Sequence, residues 1–190
     1  SLAIARPELL HALMIINAPH PVPFAHLLAT DPDQQQASRY MNMLRQPDSE
    51  SRLLAGQCEA LLDKFRMPGL DQWLSDEVAA QYRTAWTIPG AMTGAVNYYR
   101  ASPLYPPQGR DAGAAGLELN PDDFRVRVPT HVVWGMRDKA LLPTLMDGLE
   151  TLVEPLEVSR IDDASHWVIH ERPDEIIDLA NRFLKEHSGE

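Results

Sequence analysis

Apolar residues fall into two kinds of pattern along this chain of 190 residues. Residues 11–17, HALMIIN, form a run that is almost entirely apolar. Such a run predicts a parallel strand covered on both faces. Pro19 and Pro21 end it, because a proline nitrogen cannot donate to a ladder. From 22 to 108 no strand pattern recurs. Apolar residues there repeat at three- and four-residue spacing, as in Tyr40, Met43 and Leu44 or Leu53, Leu54, Leu61 and Leu62. That spacing predicts helices. Capping side chains or prolines place helix starts at Asp31-Pro32, at Ser49 and at Ser75-Asp76-Glu77. Pro47, Pro68-Gly69 and Pro89-Gly90 punctuate the block, and residues 103–116, PLYPPQGRDAGAAG, read as a long connector.

The period then changes. Thr130–Gly135 (THVVWG) predicts a second strand, Leu141–Val153 a helix, and the alternating Leu156–Ile161 (LEVSRI) a third strand. Pro173–Glu186 predicts a closing amphipathic helix whose buried face is Ile176, Ile177, Leu179, Ala180, Phe183 and Leu184. The order is strand, helical block, strand, helix, strand, helix. It predicts an α/β fold, a three-stranded parallel sheet with an all-helical insertion after its first strand. Residues 1–19 and 117–190 form the sheet-bearing core on this reading, and 20–116 the helical cap and connector. Three strands alone leave apolar edges unpaired, and Ser1-Leu2-Ala3-Ile4-Ala5 enters the fold abruptly. Both features predict further strands before Ser1.

Composition narrows the function. A hydrophobic fraction of 44% with 23% charged residues fits a soluble globular domain. No apolar run approaches the roughly 20 residues of a membrane helix, and the opening SLAIARPELL lacks the basic-then-apolar pattern of a signal peptide. Cys58 is the one cysteine, which excludes an internal disulfide and a cysteine-based zinc site. The net charge of −10 and the absence of a Lys/Arg cluster argue against a nucleic-acid partner. The expectation is a cytoplasmic protein acting on a small molecule. A homodimer is compatible with the sequence.

Two loops carry the candidate chemistry. Trp134-Gly135-Met136-Arg137-Asp138 leaves the second strand, and Asp163-Ala164-Ser165-His166-Trp167 leaves the third. Ligands of open α/β sheets bind at the carboxyl ends of strands. Parallel neighbours lie about 4.8 Å apart, so these loops can bring Asp138 and His166 into hydrogen-bond contact. A carboxylate on one imidazole nitrogen fixes the tautomer and leaves the other nitrogen to take a proton. Trp134 and Trp167 flank the loops and are expected in the pocket wall. His20 follows a strand end and is a further pocket candidate, alongside a structural role in its proline turn. His170, four residues after His166, reads as packing rather than as a metal ligand.

These stretches resemble the α/β-hydrolase superfamily, and its epoxide hydrolase branch in particular. The likeness runs through Ile15-Ile16-Asn17-Ala18-Pro19-His20-Pro21, through Pro89-Gly90-Ala91-Met92-Thr93-Gly94-Ala95-Val96-Asn97-Tyr98-Tyr99-Arg100, and through the two loops. It implies Asp138 as the acid and His166 as the base of a catalytic triad. It also implies two cap phenols. Tyr40 precedes Pro47 by seven residues, as the first does in that family, and Tyr99 lies in the Asn-aromatic-Tyr-Arg motif of the second. A phenol, with an ordinary pKa of about 10, stays protonated at pH 7 and can donate to an opening epoxide oxygen. Tyr82, Tyr98 and Tyr105 read as packing. No metal or organic cofactor is implied.

The family's nucleophile, an aspartate or serine on a strand-to-helix turn, has no counterpart here: no predicted strand leads into a G-x-[DS]-x-G turn, and the one stretch that spells it, Gly109–Gly113, lies in the Pro- and Gly-rich connector. The His-Gly-x-Pro oxyanion motif is also absent. The resemblance therefore implies a protein about 100 residues longer at its N-terminus, with the chain as given inactive alone. Rival readings are a dehalogenase of the same fold, a serine esterase or C–C bond hydrolase, and a non-catalytic binding module that uses the cap groove.

Overall fold

A computed structural model describes residues 2–187. Ser1, on which the expectation of an abrupt N-terminal entry partly rests, lies outside the described residues, as do 188–190. The elements run α1 (Leu2–Ala5), β1 (Leu13–Ile16), α2 (Pro21–Thr30), α3 (Pro32–Ala37), α4 (Arg39–Leu44), α5 (Ser49–Leu62), α6 (Asp76–Trp86), α7 (Ala91–Ala101), β2 (Thr130–Gly135), β3 (Leu156–Ile161), α8 (Val168–Glu171) and α9 (Pro173–His187). The strands form one parallel sheet in the order β1-β2-β3. Register pairs Ile16 with Val133 and Gly135 with Ile161, so all three strands end at the same edge.

Side-chain alternation on β2 divides the interior in two. Val132 and Trp134 face a core shared with Phe24 and Leu28 of α2 and with Leu145 and Leu149. Val133 faces the other way, onto Ile161, Val168 and Ile176 of α9. β2 is buried at every residue, as a central parallel strand must be. β1 departs from the expectation of cover on both faces. Each of its four residues is only half-buried, because it is the sheet's edge among the described residues.

Local chemistry explains several helix boundaries. Asp31 caps α3 by accepting from the backbone N–H groups of Asp33 and Gln34, and Ser75 caps α6 by accepting from Val78. In α9, Asp174 and Glu175 open the helix while Lys185 and His187 close it, each sign placed against the helix dipole. Two expectations need correction. Leu141–Val153 is not a helix but two short 3₁₀ turns, Pro143–Met146 and Leu149–Thr151. Gly148 between them takes a left-handed φ of 72°, which turns the chain out of any continuous helix. The helix starting at Ser49 is interrupted, because Gly56, Gln57 and Cys58 all have positive φ. Among the described residues no helix is long and apolar enough to cross a membrane.

Candidate active site

Asp138 sits at the end of the β2 loop and is buried, at 3% exposure. Four donors converge on its carboxylate. Oδ1 accepts from the backbone N–H groups of Ala140 (2.8 Å) and Leu141 (2.9 Å). Oδ2 accepts from Nδ2 of Asn17 (2.8 Å) and from Nδ1 of His166 (2.7 Å). A carboxylate offers about four lone-pair directions, and here each has a donor. The four donors fix the carboxylate, and the carboxylate orients the imidazole, whose side chain is about one-third exposed (32%). His166 presents Nε2 away from the acid, the edge that can take a proton from water.

The loops that hold this pair are knit by backbone. Met136 N–H donates to Ile161, and Arg137 N–H donates to the Ala164 carbonyl at 2.8 Å. The close approach depends on Gly135. A Cβ there would lie 2.2 Å from the Ser165 carbonyl oxygen, well inside van der Waals contact. On the other side of His166, Glu171 accepts from the backbone N–H of Ser165 at 2.6 Å and from its hydroxyl. Arg172 pairs with Asp163 at the loop's start and holds that carboxyl below its ordinary pKa.

Sequence reasoning assigns Asn17 no role at the site, yet the structure places it at the centre. It ends β1 in the left-handed region, with φ of 42°. Its Nδ2 also donates to the Ser165 carbonyl (3.2 Å), while its Oδ1 accepts from Gly135 N–H (2.9 Å). One amide therefore ties the ends of β1 and β2 to both the acid and the histidine loop. The available signal is an asparagine, a residue that tolerates positive φ, standing where a buried strand stops.

The cap brings two phenols toward this pair. Tyr40 of α4 and Tyr99 of α7 meet edge to face, with ring centroids 6.0 Å apart. Burial is the main force raising the pKa of both, and each hydroxyl alters the other's acidity. The charge of Asp138 adds to the rise at Tyr40, which is half-buried. Arg45 steadies the α7 end of this pair. It donates to the carbonyls of Tyr99 (2.6 Å), Arg100 and Ser102, with its guanidinium over the Tyr105 ring at 3.7 Å. Arg100 binds Glu50 through both nitrogens and holds that carboxyl down at about 2.

Two pocket candidates take other places. Trp134 is fully buried, at 1% exposure, because its position on β2 points into the core. Its Nε1 donates to the Leu141 carbonyl (3.3 Å), so it supports the acid loop from beneath rather than lining an open wall. His20 caps α2, with Nδ1 accepting from Val22 N–H and Nε2 donating to the Phe124 carbonyl at 2.9 Å. Burial lowers its pKa, and both ring nitrogens are engaged, Nδ1 within the turn and Nε2 on Phe124. Trp167 is half-buried beside His166, at 5.0 Å between rings, and packs on Phe65 of the cap at 4.2 Å. Tyr98, expected to pack, is instead 74% exposed. His170 stacks on Trp73 at 4.2 Å. Among the described residues no group of three or more His, Cys, Asp or Glu is arranged to hold a metal.

No family model matches the chain. Individual proteins do. The AB hydrolase superfamily protein YfhM of Bacillus subtilis is 30% identical over 97% of this chain and 60% of its own length. Epoxide hydrolase 3 of Xenopus tropicalis is 27% identical over 97% of this chain and 48% of its own. Among solved structures, an inhibitor complex of Bacillus megaterium epoxide hydrolase superposes with a TM-score of 0.83 at 27% identity, covering 96% of this chain and 63% of that one. The chain thus spans about half to three-fifths of these three proteins' own length. It carries part of the α/β-hydrolase fold, and over nearly all of its 190 residues it resembles the epoxide hydrolase branch of that superfamily.

Proposed function

We propose that these residues form the acid–base half and the cap of an enzyme that hydrolyses small epoxides through an ester intermediate. The nucleophile would be a carboxylate contributed from outside the 190 residues, since none of β1, β2 and β3 leads into a nucleophile-elbow turn. In the first step that carboxylate attacks an epoxide carbon. The C–O bond breaks and its oxygen takes a proton from Tyr40 or Tyr99, leaving a hydroxyalkyl ester. In the second step Nε2 of His166 takes a proton from water, and the resulting hydroxide adds to the ester carbonyl. Collapse of that adduct expels the diol oxygen, which takes the proton back from Nε2 of His166, and the proton of the carboxyl left behind returns through water to the tyrosinate, which restores phenol and carboxylate. Asp138 remains ionised throughout and stabilises the imidazolium. The scheme calls on neither a metal nor an organic cofactor.

The observation that carries the reading is the joint placement of two pairs. Half-buried Tyr40 and Tyr99 meet edge to face, Tyr40 feels the charge of Asp138, and the buried Asp138 is hydrogen-bonded to the His166 imidazole. A dehalogenase would need halide-binding donors where the phenols stand. The names of similar proteins, including epoxide hydrolase 3 and the B. megaterium epoxide hydrolase, point the same way. The test is His166→Ala in the complete gene product, mixed with a small aryl epoxide. The protein's intact mass should rise by the mass of one epoxide and stay raised, with diol release lost. A variant that forms no adduct, beside a wild type that opens no epoxide, would overturn the reading.

A further inference from the structure

Residues 138–142 join β2 to the first 3₁₀ turn, and the polar backbone groups at their centre find no partner in a strand or helix. Side chains hold them instead. Asp138 takes the N–H groups of Ala140 and Leu141, and Trp134 donates to the Leu141 carbonyl. The remaining two belong to a residue of the cap. Gln34 of α3 donates through Nε2 to the Ala140 carbonyl (2.9 Å) and accepts through Oε1 from Leu142 N–H (3.0 Å). Its amide is fully buried, at 0% exposure. A buried glutamine is stable only with its donors and acceptor satisfied, and the acid loop satisfies most of them.

The second donor of Gln34 goes to the cap itself. Nε2 also donates to Oγ of Ser38 at 2.8 Å, and Ser38 is likewise fully buried. Ser38 is the joint between α3 and α4, closing one helix and opening the next. Tyr40 is the second residue of α4. Gln34 therefore grips, with one planar group, the loop that orients Asp138 and the joint that aims Tyr40. We infer that Gln34 is a positioning residue that couples the cap phenol to the acid–histidine pair, so that the two steps of the reaction share one geometric reference.

This geometry has a physical consequence. The loop N–H groups that bind Asp138 and the Ala140 carbonyl and Leu142 N–H that bind Gln34 belong to consecutive peptide units. Rotating the loop to release Gln34 also rotates the donors that hold the carboxylate. A displaced carboxylate weakens the Nδ1 hydrogen bond of His166. A rotated Ser38 joint moves the Tyr40 hydroxyl, and about 1 Å of misplacement can cost a catalytic step a hundredfold.

The inference rests on the proposed epoxide chemistry for its kinetic half alone, and the experiment keeps the halves apart. Gln34→Met removes all three hydrogen bonds at nearly constant volume, while Ser38→Ala removes only the arm toward α4. Both are made in the complete gene product. The downfield proton resonance of His166 Nδ1 reads the acid loop without substrate, and single-turnover ring opening and ester hydrolysis read the two steps. Gln34→Met should move that resonance upfield, hasten its exchange and slow both steps about tenfold. Ser38→Ala should leave the resonance in place and slow ring opening alone. A Gln34→Met protein with wild-type resonance and rates, even one with a lowered melting temperature, would reduce Gln34 to packing and overturn the inference. Should that variant not fold, Gln34→Glu decides the same question by the same readouts, because it keeps the acceptor for Leu142 and loses the donation to Ala140. A moved resonance in a protein that opens no epoxide would sink the proposed function and leave the hold of Gln34 on the acid loop intact.

Discussion

The strand-end junction and the cap are built by different means. At the junction, three parallel strands end at one edge, their loops exchange backbone hydrogen bonds, and Gly135 admits the histidine loop to a distance no Cβ allows. In the cap, short helices meet through side chains. Arg45 and Arg100 lash α7 to the segment around α4 and α5, and a left-handed stretch at 56–58 interrupts α5. Backbone ladders fix position tightly and tolerate little change in sequence. Guanidinium bridges can be remade with other residues. The difference teaches where precision is needed. On the proposed chemistry, an acid and a base that act as one unit must meet at hydrogen-bond distance, here 2.7 Å, whereas the phenols would only have to reach the oxygen of the substrate.

Three expected outcomes break or sharpen this contrast. The largest falls on the junction. Asp138→Asn places an amide N–H₂ opposite Asn17 Nδ2 and His166 Nδ1, donor against donor, and favours the wrong tautomer. Turnover should fall about 10⁴-fold, the scale of a triad that loses its orienting charge, with the melting temperature lowered too. Steady-state kinetics and calorimetry read both, and a loss under tenfold would show that the pair is not the working base. The next falls on the cap. Arg45→Met should cost about 2 kcal/mol, for three carbonyls left without a charged donor and a lost cation–π contact. It should slow ring opening more than ester hydrolysis. Urea unfolding and single-turnover rates decide, and equal slowing of both steps would erase the division between the two regions. The smallest effect is a flat line. A phenol of ordinary acidity begins to ionise and lose its donor as pH approaches about 10. Burial raises the pKa of Tyr40 and Tyr99, so both stay protonated beyond that point. Ring opening should hold constant from neutral pH to about 9.5; an earlier alkaline fall would mean exposed phenols.

The sheet is legible in the sequence because its signals are unambiguous. Thr130–Gly135 and Leu156–Ile161 are strands to the residue, and α9 runs from the expected Pro173 to His187. Length, β-branching and a 3.6-residue period agree in each. Leu141–Val153 misleads because apolar spacing in 3₁₀ turns mimics helical spacing, while Pro143 and Gly148 carry the real instruction. The acid and the histidine are visible from their places after consecutive strands. Their supports are not. Asn17 reads in sequence as an ordinary turn residue, and Gln34 as one of three glutamines on a polar helix. Only the fold reveals that each is buried against Asp138 or its loop. Trp134 suggests a pocket wall because its neighbours in sequence are functional. Strand alternation sends it into the core instead.

The saturated carboxylate of Asp138 has a bearing on anyone seeking a ligand for this protein. With four donors already seated on it, it offers an incoming molecule no vacant acceptor, and a cationic inhibitor drawn to its charge would have to evict a protein donor to reach it. The handles that remain on the proposed chemistry are the outer nitrogen of His166, whose side chain is about one-third exposed, and the half-buried phenols of Tyr40 and Tyr99. A compound presenting an acceptor to the phenols and a donor to the imidazole edge would match the site as it stands.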